Sequence, residues 1–329
     1  MQKRRLGKTG WNVTEIGLGT WNIGGDWGDV SQQAGEAAVN AALDGGINFL
    51  DTADVYGDGR SEQIIAQVMG EREDDERIYI ATKAGRRLPQ QTTDGYTAEN
   101  IEAWVDRSRE YLQTDTLDLV QLHCPPFGVY YSPHVFDALE GLVEQGKLRH
   151  YGVSVEKVEQ ALIAMEYPNM VSVQIIFNMF RQRPAELFFE QAQQNDVGVI
   201  VRVPLASGLL TGKLSADTEF ADNDHRKFNR EGEAFDVGET FAGVDFERGL
   251  EAVEALRALV PEGATMAQFA LRWILMHPAV SVVIPGSTRP AHIQDNIAAA
   301  SLPALTEEQM SAVADIYDTY FRERVHTAW

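Results

Sequence analysis

Four residues of this sequence could together move a proton. Asp51 and Tyr56 lie in "DTADVYGDGRSE" (51–62), Lys83 closes "IYIATK" (78–83), and His123 closes "LDLVQLH" (117–123). A free tyrosine titrates near pH ~10 and a free lysine near ~10.4, so neither exchanges protons readily at neutral pH. A lysine cation beside the phenol favours the phenolate and predicts a lowered tyrosine pKa, while Asp51 would keep the lysine charged and fixed. Tyr56 then becomes a usable general acid or base. A neutral His123 could orient a carbonyl oxygen and share its developing charge. Such a set protonates an oxygen as negative charge builds on it. It contains no nucleophile paired with a base, and the seven histidines are scattered without a second His or carboxylate at ligand spacing, so no metal is expected.

Taken singly, Asp51 could cap a turn, Lys83 could be a solvated strand end and His123 a structural histidine. Their joint placement is what counts, and it rests on the elements that carry them. Short apolar, β-branched runs occur at 14–20, 47–52, 78–83, 117–123, 150–155, 172–178, 197–204 and 280–286. Between them lie helical patterns at 32–44, 60–70, 97–112, 134–145, 156–165, 185–195, 266–277 and 290–300, with apolar positions at three- and four-residue spacing. In the fifth of these patterns Ser154 is a candidate N-cap. Eight alternating pairs with no Pro/Gly/Ser linker predict one closed (β/α)8 barrel over 1–329, not two domains. Strands adjacent in the chain are then neighbours, about 4.8 Å apart, which brings the four residues to one rim. Two stretches depart from the repeat. "RRLGKTGWNV" (4–13) predicts a β-hairpin plugging the bottom of the barrel, and 213–249 is a long, polar, acid-rich insertion after the seventh strand, of the kind that forms lids or flexible loops.

A proton donor over a carbonyl needs something to attack that carbonyl, and hydride from a nicotinamide fits. No G-x-G-x-x-G follows a strand, so a Rossmann site is not expected. "VVIPGSTRPAHIQDNIAAA" (282–300) instead leads the last strand into a helix, with Ser287, Thr288 and Arg289 at the turn. A helix N-terminus with a nearby arginine suits a phosphate, and barrels of this kind often bind phosphate after strands seven and eight. "PLASGLLTGK" (204–213) supplies small residues that would let the backbone approach a pyrophosphate.

Composition narrows the partners. The 28 Lys and Arg against 49 Asp and Glu give a net charge of −21, which repels nucleic acid and anionic lipid. This much acid fits either a salt-adapted surface or an ordinary soluble one. There is one cysteine, Cys124, so no intramolecular disulfide can form. No run approaches a membrane span, and "MQKRRLGKTG" lacks the apolar segment of a secretory signal, so a cytoplasmic protein is expected. Nothing in the sequence sets its oligomeric state.

The chain resembles an aldo-keto reductase along nearly its whole length. The residues that carry the likeness are "GLGTW" (17–21), "DTADVYG" with "SE" (51–62), "ATK" (81–83), "LDLVQLHCPP" (117–126), "GVS" (152–154), "VQ" (173–174), "PLASGLLTGK" (204–213) and "IPGSTR" (284–289). The resemblance implies a tetrad of Asp51, Tyr56, Lys83 and His123, with Tyr56 as proton donor and NADPH, with NADH as the alternative, as hydride source for a small carbonyl substrate. It places Ser154 and Gln174 at the nicotinamide carboxamide, and Gly19, Thr20 and Trp21 on the nicotinamide side. Pro204, Leu205, Ser207, Gly208, Leu210, Gly212 and Lys213 fall along the pyrophosphate loop. Gly286, Ser287, Thr288, Arg289, His292, Asp295 and Asn296 fall around the adenosine and its 2′-phosphate. Trp21 and Trp27, with Tyr56 and His123, are expected at the substrate mouth. The sequence departs from the family's usual pattern at Arg202, where many members carry an aromatic that stacks on the nicotinamide, at Val155, where Asn is common, and at His292, where Arg or Gln is common. Arg202 could stack through its planar guanidinium or pair with an acid of the insertion. The resemblance also admits an alternative, a nicotinamide-binding sensor or regulatory subunit with little turnover, because the family includes a channel-associated subunit.

Overall fold

The computed structural model describes residues 1–73 and 76–329. Two short strands open it, β1 (Lys3–Arg5) and β2 (Asn12–Thr14), paired antiparallel with Arg4 opposite Val13. Eight parallel strands follow: β3 (Leu18–Gly19), β4 (Phe49–Asp51), β5 (Tyr79–Ala84), β6 (Leu117–His123), β7 (Leu148–Ser154), β8 (Ser172–Ile176), β9 (Gly198–Arg202) and β10 (Val280–Val283). They neighbour one another in chain order. The first and last meet through parallel bridges at Ile16 with Val283 and Gly19 with Gly286, which curls the sheet into the expected (β/α)8 barrel.

Alternation along each strand decides what fills the barrel. At one end Phe49, Ala81, Leu119, Ile200 and Val282 form an apolar cluster with Leu6 and Val13 of the hairpin, which therefore plugs that end as expected. Two or four residues further along, the same strand faces carry Asp51, Lys83, Gln121, His123 and Arg202, and β8 adds Gln174, all buried. The interior thus changes from apolar to polar toward the C-terminal ends of the strands, and the polar layer lies where the barrel opens. Gly7 makes the plug possible: its φ is +48°, and a Cβ there would meet the Gly198 nitrogen at 2.4 Å.

Helices cover the outside where the apolar spacing predicts them, with Gln32–Asp44 and Arg60–Gly70 matching to the residue. Ser154 is not a helix cap. It ends β7, and the helix Val158–Ala164 starts later, where Gln160 Oε1 accepts from the backbone N–H groups of Glu156 and Lys157 at 2.9 Å each. The insertion is less loop-like than its composition suggests. It holds the short helix His225–Phe228 and two 3-10 turns, buries Asn229, Glu239, Thr240 and Phe241, and passes at Phe246 into the helix Phe246–Arg257. Among the described residues no helix is long and apolar enough to cross a membrane.

Candidate active site

The turn after β4 brings Tyr56 back over the rim. Gly24 lies directly against it, where a Cβ would come within 2.5 Å of the Tyr56 backbone, and Gly57 (φ +61°) packs equally closely on the Gly24 carbonyl. Lys83 sits beneath, 1 % exposed, with Nζ donating to Asp51 Oδ2 at 2.5 Å, the Thr52 carbonyl at 2.9 Å and Tyr56 Oη at 3.3 Å. Asp51 Oδ1 accepts from Gln174 Nε2 at 2.7 Å and Gln121 Nε2 at 3.2 Å, so the buried carboxylate is satisfied on both oxygens. The His123 ring stands edge-on to Tyr56, centroids 5.9 Å apart. Its Nδ1 is buried without a hydrogen-bond partner among the described residues, which leaves Nε2 as the nitrogen open to the cleft.

The electrostatics follow from this packing. Burial, then Arg86, Lys83 and Arg202, holds His123 well below its ordinary value, so the imidazole is neutral. Burial works against the charge on Lys83, but Asp51 and Tyr56 outweigh it and the amine stays above its ordinary value. The expected lowering of the Tyr56 pKa does not hold. Burial pushes the phenol above its ordinary value, with Asp51 and Glu239 adding to the rise, and Lys83 offsets only part of it. The site therefore holds Tyr56 as the protonated phenol.

A single cleft runs from this rim across the barrel mouth. Most of the residues singled out from the sequence line it: Gly19, Thr20, Trp21, Trp27, Asp51, Tyr56, His123, Gln174, Arg202, Pro204, Leu205, Ser207, Gly208, Lys213, Gly286, Ser287, Thr288, Arg289, His292, Asp295 and Asn296. Four do not. Lys83 lies under the floor, Ser154 is fully buried with Oγ 3.6 Å from Cys124 Sγ, Leu210 is in the hydrophobic core, and Gly212 turns the chain out of the loop at φ +68°. At the near end Trp21, Trp27 and the insertion's His225 form an aromatic wall, His225 standing 4.6 Å from both indoles and Trp21 stacking at 6.2 Å on Tyr56.

Arg202 pairs with the insertion. Its Nη2 donates to the Val155 carbonyl at 3.1 Å, and Nη1 lies 3.7 Å from Glu239 Oε2. Glu239 also accepts from Arg86 Nη2 at 2.6 Å, and Arg86 Nε reaches the His123 carbonyl at 3.3 Å. Burial raises the Glu239 carboxyl, but Arg86 and Arg202 prevail and hold it at about 2. Glu239, Arg86 and Gln121 are functional-site residues that the sequence reading missed. Gln121 was detectable, because it interrupts an apolar strand two residues before His123 and so shares its face.

The far end of the cleft suits phosphates. Ala206, Ser207 and Gly208 have left-handed backbone (φ +46°, +51° and +102°), the curl in which successive N–H groups form an anion-binding concavity. The helix Pro290–Ala298 begins with no side-chain cap, and Lys213 and Arg289 lie close enough to His292 to help lower its pKa after burial. These cations cluster in a chain whose net charge is −21, as a phosphate-bearing cofactor requires. Asp295 is held by Gln268 Nε2 at 2.7 Å and Thr265 Oγ1 at 3.1 Å.

The model of the aldo/keto reductase family matches residues 15–318. The uncharacterized oxidoreductase YqkF of Bacillus subtilis is 30 % identical over 328 residues, covering 97 % of this chain and 99 % of that one. A probable voltage-gated potassium channel subunit beta of Arabidopsis thaliana is 30 % identical over 323 residues, 93 % of each. Among solved structures, the aldo-keto reductase AKR11C1 of Bacillus halodurans in its holo form superposes with a TM-score of 0.77 at 26 % identity, covering 99 % of both chains. An aldo/keto reductase of Klebsiella pneumoniae in complex with NADP and acetate, 23 % identical and covering 96 % of both chains, shares the fold with a TM-score of 0.70.

Proposed function

The chain belongs to the aldo/keto reductase family, and from that premise we propose that it is an NADPH-dependent oxidoreductase that reduces an aldehyde or ketone to an alcohol, with Tyr56 as the proton donor. The observation that carries this reading is the Asp51–Lys83 ion pair seated directly under the Tyr56 hydroxyl, beside a neutral His123 at one end of a cleft whose other end gathers Lys213, Arg289 and His292. NADPH, when bound, supplies hydride to the carbonyl carbon.

The chain's own residues do the rest. His123 Nε2 donates to the carbonyl oxygen and fixes it beside Tyr56 Oη. Tyr56 gives up its proton as charge develops on that oxygen, and Lys83, 3.3 Å away, stabilises the phenolate left behind. Asp51 keeps Lys83 charged and in place. The Asp51 carboxylate takes the Gln174 amide nitrogen, so Oε1 of Gln174 is free to accept from a nicotinamide carboxamide. Arg202, held by Glu239, is offered to the nicotinamide face. Leu205, Ser207 and Gly208 would approach the pyrophosphate, and Ser287, Arg289 and Asn296 the adenosine end. Trp21 and Trp27 wall the substrate.

The likeness to a channel subunit supports a second reading, a nicotinamide-binding sensor with little turnover. Initial rates of NADPH oxidation over a panel of aldehydes and ketones, with NADPH affinity measured in parallel, separate the two. The proposed enzyme turns over at least one carbonyl, whereas tight NADPH binding without turnover across the panel would favour the sensor.

A further inference from the structure

Arg86 and Arg87 follow Lys83 in the loop after β5 and point to opposite sides of the site. Arg86 goes to Glu239 and the His123 carbonyl. Arg87 goes to the turn that carries Tyr56. Its Nη2 donates to the Asp54 carbonyl at 2.8 Å and to Asp58 Oδ1 at 2.5 Å, and its Nε lies 3.3 Å from Asp54 Oδ2. One guanidinium thus holds the turn both two residues before and two residues after the tyrosine. The turn needs such a hold, because no regular element continues through it and Asp58 sits at φ +56°, a conformation that costs a non-glycine residue energy.

The Asp54 carboxyl is 0 % exposed, and neither oxygen accepts a hydrogen bond among the described residues. Burial and the neighbouring Glu62 push its pKa up to about 7, while Arg87 and Arg107 pull it down. Arg107 Nη2 shares Asp58 Oδ1 at 2.8 Å but, among the described residues, makes no hydrogen bond to Asp54. Arg87 does not line the cleft proposed to take substrate and cofactor.

We propose that Arg87 is a positioning residue for Tyr56, clamping the 54–58 turn so that the phenol is held at Lys83 and aimed at the carbonyl oxygen. The inference rests on the reading of Tyr56 as proton donor. Proton transfer depends on sub-ångström placement of donor and acceptor, and a displacement of about 1 Å can cost ~10²-fold in rate.

The test compares the parent with Arg87→Gln, Arg87→Lys, Tyr56→Phe and the Arg87→Gln/Tyr56→Phe pair, reading kcat, KM and NADPH affinity with one reactive aldehyde. Arg87→Gln is expected to lower kcat by ~10- to 100-fold while NADPH affinity stays at the parent value. Arg87→Lys restores the charge opposite Asp54, and with it stability, but not the three-point hold, so kcat stays low. In the Tyr56→Phe background Arg87→Gln causes no further loss, because the group it positions is gone. Should Arg87→Gln not fold, Asp54→Asn/Arg87→Gln removes the buried charge as well, and the same kcat loss is expected. A folded Arg87 variant with parental kcat overturns the proposal, as does an equal loss in the Tyr56→Phe background or a loss that follows NADPH affinity. Parental turnover by Tyr56→Phe would instead overturn the proton-donor reading on which the proposal rests.

Discussion

Glu239 gives the sharpest test of how the insertion is tied to the site. It is 4 % exposed, bonded to Arg86 at 2.6 Å and 3.7 Å from Arg202, with its carboxyl held at about 2 against an ordinary 4.5. That difference corresponds to stability on the order of 3 kcal/mol at neutral pH. Because the folded value lies below the unfolded one, the contribution is fully present above about pH 4.5 and is lost as the pH falls toward 2. A second acid moderates the effect. Glu156 lies 3.6 Å from Arg86, and its carboxyl is pushed up to about 7 by burial, Asp236 and Glu239 itself. Removing the Glu239 charge lets Glu156 ionise more fully and take over part of the pairing. Glu239→Gln should therefore cost about 1 to 3 kcal/mol in urea denaturation at pH 7, less than the loss of an uncompensated buried partner. The gap between parent and variant should shrink as the pH is lowered through ~4, and the freed Arg202 should weaken NADPH binding. A variant as stable as the parent at pH 7, or a gap that does not change with pH, would refute the argument.

Three further outcomes follow from the same geometry. Since burial raises the Tyr56 pKa, reduction, which needs the protonated phenol, should hold its rate through neutral pH and fall only above pH ~10 in a kcat/KM profile. Lys83→Met removes the cation that opposes this rise and should move that alkaline limb higher still, so a limb that moves down would show the cause to be wrong. Arg289→Ala should weaken NADPH much more than NADH in a fluorescence titration, and equal losses would remove the 2′-phosphate from its role.

Much of the fold was legible because barrel strands and their helices carry two different apolar periods, and those periods survive in "LDLVQLH" and in residues 32–44 almost to the residue. The clustering of Asp51, Lys83 and His123 was legible for the same reason: they lie at the ends of strands that the barrel makes neighbours, with Tyr56 in the turn after the first of them. The insertion was not. The 3–4 spacing of Ala252, Val253 and Leu256 in the helix Phe246–Arg257 that follows it went unread, as did the capping box of Thr306 and Gln309 that opens the helix Glu307–Tyr320. His225 and Glu239 reach the site through a fold-back with no sequence period, so nothing local announces them. The sign of the Tyr56 shift was missed because a sequence shows the cation beside the phenol but not how completely water is excluded from both.

The central claim is that Tyr56 supplies the proton. The most direct measurement is steady-state NADPH oxidation with a reactive aromatic aldehyde by the parent and by Tyr56→Phe, which keeps the ring that stacks on Trp21 and removes only the hydroxyl. The account predicts a fall in kcat of ~10²- to 10⁴-fold, the usual worth of a positioned general acid, with NADPH affinity unchanged. Turnover by Tyr56→Phe at the parent rate would contradict it.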